Sequence, residues 1–143
     1  MVRVDLVRLK IARMRETADS LGRVLPTDSG ALTNDRDRLD LVAFRVYLLL
    51  QGAVDLASHV IADEGWGPAG SLRDHFTVLG TRGVLDPALA AELAAAIKIR
   101  NLIGHAYVAI DPHKLHAAAV AVDALVPRLC SAVLTFAEAR RGP

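Results

Sequence analysis

Apolar side chains recur every three to four residues along most of the chain, which is the spacing of an amphipathic helix. The first such stripe covers residues 2–25 and ends at Pro26. Its apolar positions are Leu6, Leu9, Ile11, Met14, Ala18, Leu21 and Leu25. No segment alternates strictly between apolar and polar residues, as a half-buried strand would. The pattern therefore predicts helices and no sheet.

Start and stop signals divide the next part of the chain into two more helices. Polar and acidic cap residues precede a long helix over residues 37–64, which Gly65 ends. Ser71, followed three residues later by Asp74, resembles a capping box. This motif predicts a short helix that runs to about Leu79.

A cap residue followed by proline opens each of the last two predicted helices. Residues 86–87 (Asp-Pro) begin a helix that reaches Ile103, where Gly104 interrupts it. Residues 111–112 (Asp-Pro) begin a last helix that extends to about residue 140. Pro127 lies inside that helix and predicts a kink.

Five helical segments joined by short loops predict an all-α fold, with residues 1–143 as a single domain. Because short loops favour antiparallel neighbours, the simplest arrangement is an up-down four-helix-type bundle with one additional short helix. The second helix is apolar on more than one side, with large aliphatic and aromatic residues crowded between Leu41 and Leu50. This predicts contact with a partner outside the bundle, and the simplest partner is a second copy in a homodimer.

Composition narrows the possible functions. The chain has 17 Lys and Arg against 16 Asp and Glu, and 52% of its residues are apolar. A net charge of +1 excludes a strongly basic nucleic-acid coat but leaves room for a local basic patch. The best such patch lies on the first helix, where Arg8, Lys10 and Arg15 are candidate nucleic-acid contacts. The only cysteine, Cys130, has no disulfide partner and is expected in the core.

Several classes of protein do not fit the sequence. The N-terminal segment lacks the apolar region of a secretory signal, and the richest apolar run is far shorter than the roughly 20 residues that cross a bilayer. There is no glycine-rich nucleotide-binding motif. We therefore expect a cytoplasmic protein with no membrane span.

One segment near the end of the fourth predicted helix concentrates reactive polar groups. Arg100 is a permanent cation with a fork suited to phosphate, and histidine, here His105, exchanges protons near neutral pH. Asn101 can donate and accept hydrogen bonds, and Tyr107 adds a phenolic hydroxyl. These groups suffice for metal-free phosphoryl chemistry.

A separation of five residues places Arg100 and His105 about 140° apart around a helix. Either Gly104 breaks the helix, or two chains supply one site.

Structural roles compete with these functional ones. An arginine and a histidine near a helix end also stabilise the helix dipole and bond its last carbonyls. The other histidines lack the spacing of a metal site, so no metal site is predicted. Asp55 and His59, four residues apart, are expected to pair and fix helix packing.

The segment Arg100-Asn101-Leu102-Ile103-Gly104-His105-Ala106-Tyr107 resembles the R-N-x-x-x-H-x-Y motif of the HEPN superfamily and, within it, the HepT-like toxins. Residues 51–61 are similar to the family's polar helix, and Pro68 and residues 83–85 follow in the family's order. The resemblance covers about residues 37–135.

The resemblance implies a dimeric bundle and a metal-independent endoribonuclease that needs no cofactor. It implies that His105 acts as general base or acid, that Arg100 neutralises phosphoryl charge, and that Asn101 orients one of these groups. It also implies a partner, a small nucleotidyltransferase antitoxin that transfers AMP to Tyr107. One alternative is a non-catalytic helical partner or substrate-presenting subunit of such a nucleotidyltransferase. Another is a plain helical scaffold.

Overall fold

The computed structural model describes residues 2–140, and those residues form five α-helices and no strand. In chain order the helices are α1 (Val4–Val24), α2 (Arg36–Glu64), α3 (Leu72–Thr81), α4 (Pro87–His105) and α5 (Pro112–Ala139). Two short 3-10 turns, Ser29–Leu32 and Tyr107–Ala109, lie in the connections. The all-α class and the five helical segments predicted from the sequence are confirmed.

Side-chain caps fix where four of the helices begin. The Asp35 carboxylate accepts a backbone N–H at 3.1 Å, so α2 starts one residue before the predicted position. Ser71 and Asp74 form a reciprocal capping box at the start of α3. Asp86 and Asp111 cap α4 and α5, each followed by proline in the first turn. The capping signals in the sequence therefore identified these helix starts to within one residue.

The long helix α2 contacts each of the other four helices, and its buried face forms the centre of the core. Leu49 and Leu50 of α2 are fully buried, as are Phe76 of α3 and Leu93 of α4. Cys130 on α5 is 3% exposed, which confirms its expected place in the core. Burial raises the pKa of its thiol to about 11, which disfavours the reactive thiolate in the folded chain.

The prediction that Gly104 interrupts the fourth helix is wrong, because α4 continues through it to His105. A Cβ atom at position 104 would lie only 3.3 Å from Cε2 of Tyr47 on α2. Glycine therefore allows α4 and α2 to approach each other closely at this point. It marks a tight helix contact one residue before α4 ends.

The expected pair of Asp55 and His59 is also wrong. Asp55 accepts a hydrogen bond from Lys10 of α1 at 2.9 Å and has a largely exposed side chain. His59 lies instead against Asp63, one turn further along α2, with 3.3 Å between Nε2 and Oδ2. The largely buried His59 side chain therefore contacts Asp63 in the next turn of α2, whereas the Asp55 carboxylate contacts Lys10 on α1.

Two helices, α2 and α5, match a membrane-spanning helix in length and apolar character. Each of them buries a large part of its apolar surface in the bundle, through residues such as Val46 and Val133. The core helices of water-soluble proteins have the same composition.

The helix α5 continues through Pro127, which lies on its exposed side.

Candidate active site

The guanidinium of Arg100 is held by side chains of α2 and of its own helix. Its Nε and Nη2 atoms donate to Oε1 of Gln51 at 3.1 and 3.0 Å. Nη2 also donates to the Tyr47 hydroxyl at 3.0 Å, and Nη1 donates to Oδ1 of Asn101 at 3.1 Å. The Cζ atom lies 4.9 Å from the centroid of the Tyr47 ring. These contacts hold Arg100 in one position before any ligand binds.

All three side chains that hold Arg100 are neutral. Other arginines of the chain, such as Arg8 and Arg140, pair with carboxylates. No carboxylate lies within ion-pair distance of Arg100 in the part of the chain that the structure describes. Four of its five N–H groups are in use, which leaves one on Nη1. Arg100 is therefore an oriented cation with an uncompensated charge, an arrangement that suits phosphate recognition.

The imidazole of His105 stands at the C-terminal end of α4 and is exposed to solvent. Because α4 is continuous, Arg100 and His105 leave it about 140° apart. No hydrogen bond joins the two side chains among residues 2–140. One chain thus places both groups at the same end of α4 but aims them in different directions.

Tyr107 lies in the 3-10 turn that follows α4, and its hydroxyl donates to Oδ1 of Asp40 near the start of α2. Arg36 completes this group, since its Nε lies 3.0 Å from Oδ1 of Asp40. Its Cζ lies 5.2 Å from the centroid of the Tyr107 ring. Burial, and after it the hydrogen bond to Asp40 and the charge of Asp40, raise the pKa of Tyr107 to about 12.

Of the four residues of α2 that hold the motif, only Gln51 lies in the segment similar to the family's polar helix, residues 51–61, and that resemblance predicts no contact with Arg100. The four residues are Arg36, Asp40, Tyr47 and Gln51. At about 100° per residue they fall within about 60° of one another, so they form one polar stripe along the helix. Their spacing of four, eleven and fifteen residues from Arg36 is visible in the sequence. Polar residues with this period in an otherwise apolar helix are the signal that could have identified them.

The candidate RNA contacts on α1 hold ion pairs with other helices. Arg8 pairs with Glu138 of α5 at 2.8 Å, and Lys10 pairs with Asp55 of α2 at 2.9 Å. Arg15 is exposed. Their role in RNA binding remains a prediction, and the paired Arg8 and Lys10 contribute less positive charge than the sequence indicates.

An apolar strip, Leu41, Phe44 and Leu48, lies beside the polar stripe on the solvent side of α2. These three side chains are 41%, 58% and 39% exposed. Large apolar residues gathered on one helix face indicate a contact surface.

The described residues contain no group of three or more His, Cys, Asp and Glu side chains able to hold a metal ion.

Comparison with known proteins identifies the family. A family model described as Ribonuclease HepT-like matches residues 14–126, which is most of the chain. The tRNA nuclease HepT of Aphanizomenon flos-aquae is 31% identical over 68 residues. That match covers 48% of this chain and 46% of the relative, so it spans about half of either protein.

Solved structures with low sequence identity share the fold. A tri-AMPylated HEPN toxin of Shewanella oneidensis, solved in complex with its MNT antitoxin, is 19% identical with a TM-score of 0.82. The match covers 90% of this chain and 96% of that one. The cytosolic protein YutE of Bacillus subtilis, of unknown function, is 17% identical with a TM-score of 0.82, over 99% and 95% of the two chains. The motif, the helical bundle and the family model agree, and the chain belongs to the HepT-like ribonuclease family.

Proposed function

We propose that the chain is the toxin of a toxin–antitoxin pair, a cytoplasmic endoribonuclease that cleaves RNA without a metal ion. Arg100 and His105 act at a cleft between two copies of the chain. A small nucleotidyltransferase antitoxin silences the enzyme by transferring AMP to Tyr107. The observation that carries this proposal is the oriented and uncompensated charge of Arg100, on the same helix end as the exposed imidazole of His105.

The proposed reaction uses the ribose of the RNA as the nucleophile. His105 takes the proton of a 2′-hydroxyl, whose oxygen then attacks the adjacent phosphorus. The bond from phosphorus to the 5′-oxygen breaks, and that oxygen receives a proton from a second, protonated imidazole. The remaining N–H on Nη1 of Arg100 and its full positive charge stabilise the phosphoryl oxygens as charge accumulates. The products are a 2′,3′-cyclic phosphate and a 5′-hydroxyl.

The geometry of α4 supports a site shared by two copies. Since Arg100 and His105 diverge on one unbroken helix, two chains can bring the arginine of one copy toward the histidine of the other. The apolar strip, Leu41, Phe44 and Leu48, borders the stripe that holds Arg100. Its burial against a second copy would bring two copies of the site together and supply two imidazoles.

The dimer is tested by substituting Phe44, the most exposed residue of the apolar strip. We expect Phe44→Glu to yield monomers in sedimentation and to lose RNA cleavage. Val120→Glu is the control, because Val120 is 49% exposed on α5 and outside the strip. A dimeric and active Phe44→Glu variant would exclude this face as the interface.

Cleavage is tested with transfer RNA as the first substrate, since the relative from Aphanizomenon is named a tRNA nuclease. With divalent metal chelated, His105→Ala should lower the cleavage rate by about 10²–10⁴-fold and leave the dimer intact. The matched control is His75→Ala. His75 lies on α3 and not on α4, and its ring is hydrogen-bonded to the backbone oxygen of Ser71, the residue that caps α3. If the His105→Ala variant cleaves at the unmodified rate, the proposal fails.

The modified state of the Shewanella relative supports Tyr107 as an AMP acceptor. Tyr107 lies in a surface turn, and the next residue, Val108, is 95% exposed. An added nucleotide would place bulk and negative charge two residues from His105 and repel an RNA phosphate. Intact mass after incubation with the antitoxin and Mg-ATP should show adenylyl addition that is absent in Tyr107→Phe.

A further inference from the structure

The hydroxyl of Tyr107 is not free in solution but donates its proton to a carboxylate from a distant part of the chain. Asp40 lies 67 positions earlier in the sequence, and its Oδ1 accepts the bond. The same oxygen lies 3.0 Å from Nε of Arg36, one turn earlier on α2. Asp40 is half exposed, so a nucleotide could approach the pair from solvent.

We propose that Asp40 is the general base for adenylylation of the chain, taking the phenolic proton as Tyr107 attacks ATP. This inference rests on the proposed function, in which Tyr107 accepts AMP. In the step, the Tyr107 oxygen forms a bond to the α-phosphorus. The bond from that phosphorus to the oxygen bridging the α- and β-phosphates breaks, and pyrophosphate leaves. The proton of the hydroxyl passes to the carboxylate of Asp40, which releases it to solvent afterwards.

A base is needed because the phenol holds its proton firmly. With the pKa of Tyr107 raised to about 12, only about one molecule in 10⁵ carries a phenolate at neutral pH. Attack through a preformed phenolate would therefore be slow. A carboxylate already bonded to the hydroxyl removes the proton as the new bond forms, which is the geometry that general-base catalysis requires.

Two effects of Asp40 on Tyr107 have opposite signs, and this makes the inference testable. The negative charge of Asp40 disfavours the phenolate, whereas its basicity assists the attack of the neutral phenol. Removing the charge would therefore lower the pKa of Tyr107 while abolishing the base. The other charged group acting on the hydroxyl is Arg36. The nearest titratable groups along the chain are His105 at the end of α4 and Asp111, whose carboxylate caps α5.

The variant to examine is Asp40→Asn in the full chain, mixed with the antitoxin and Mg-ATP. Asparagine keeps a side-chain oxygen that can accept the Tyr107 hydroxyl, so the position of the ring is retained while the basicity is lost. The matched control is Asp37→Asn, an exposed residue three positions earlier on α2 with the same change of charge. Circular dichroism establishes that both variants are folded.

The rate of adenylyl addition is followed by intact mass between about pH 6 and pH 9. We expect Asp40→Asn to be about 10²–10⁴-fold slower than the unmodified chain near neutral pH, with a rate that rises with pH as phenolate forms. Asp37→Asn should match the unmodified chain.

Failure of the proposed function and failure of the role of Asp40 give different results in this experiment. If the unmodified chain gains no adenylyl group, or if Tyr107→Phe still gains one, the proposed function itself fails. If Tyr107 is modified but Asp40→Asn reacts as fast as the unmodified chain, only the role of Asp40 is refuted. A slow Asp40→Asn variant whose rate does not rise with pH would also refute it, because that result indicates a merely structural contact.

Discussion

Replacing Gln51 by glutamate would test whether the charge of Arg100 must stay uncompensated. Gln51 accepts two hydrogen bonds from Arg100, at 3.1 and 3.0 Å, through one neutral oxygen. Gln51→Glu keeps the size and shape of the side chain and turns these contacts into an ion pair. The geometry is then retained or strengthened, while the net charge at the site falls to zero.

The expected magnitude follows from the distances. A carboxylate about 3 Å to one side of the guanidinium lies about 6 Å from a phosphate held on the other side. At an effective dielectric constant of about 20 to 40, two unit charges at that separation repel by about 1.4–2.8 kcal/mol. This corresponds to a loss of about 10–100-fold in kcat/KM. Stability should change by less than about 1 kcal/mol, since a partly exposed ion pair is gained and a like-charge neighbour, Asp55, lies one turn away.

The assay compares RNA cleavage and thermal unfolding for Gln51→Glu and Asn34→Asp. Asn34 is exposed ahead of α2, so its substitution makes the same amide-to-carboxylate change away from Arg100. We expect Gln51→Glu to lose activity without losing stability, and Asn34→Asp to change neither. Full activity in Gln51→Glu would refute the argument that Arg100 works as an uncompensated cation.

Three further predictions concern single contacts. Tyr47→Phe removes one acceptor of Arg100 but leaves the ring and the bonds to Gln51 and Asn101, so cleavage should fall about 2–10-fold, measured as kcat/KM. Arg140 donates to Glu64 and, despite an opposing effect of burial, lowers the pKa of that carboxyl below its usual value. The stabilisation from this pair is therefore complete above the ordinary glutamate range and lost as the pH falls through the lowered pKa. The melting temperatures of the unmodified chain and Arg140→Gln should thus differ near pH 6 and converge as the pH falls through the lowered pKa of Glu64, and a difference that does not depend on pH would contradict this. Cys130, with its thiol pKa of about 11, should react with a thiol reagent only after unfolding, and rapid labelling of the native chain would contradict its burial.

The sequence predicts the helices well because their ends carry local signals. Caps such as Ser71 and Asp86 act within one turn, so their effect can be inferred from neighbouring residues alone. The motif residues Arg100 and Tyr107 are likewise identified by spacing. Their partners Gln51 and Asp40 are not, since they lie 49 and 67 positions away and meet the motif only after the bundle forms.

The error at Gly104 has the same origin. Glycine is a strong local signal for the end of a helix, and the sequence contains no information on how closely a second helix approaches. The ring of Tyr47 occupies the space that a side chain at position 104 would need. A long-range steric requirement therefore determines the residue type here, and a local interpretation assigns the wrong role to it.

The length of the polar stripe on α2 separates the residue that contacts Tyr107 from the residues that contact Arg100, and this separation limits how far the charge of an added AMP can act. Asp40 lies seven residues from Tyr47 and eleven from Gln51, which corresponds to about 10 and 16 Å along the helix axis. Both separations exceed the distance of about 8 Å over which charges in physiological salt remain unscreened. Within one copy, salt therefore weakens the field that a nucleotide phosphate on Tyr107 produces along the stripe toward Arg100. The effect of the nucleotide would be strongest at the imidazole end of the cleft, where it would obstruct the path of the RNA strand.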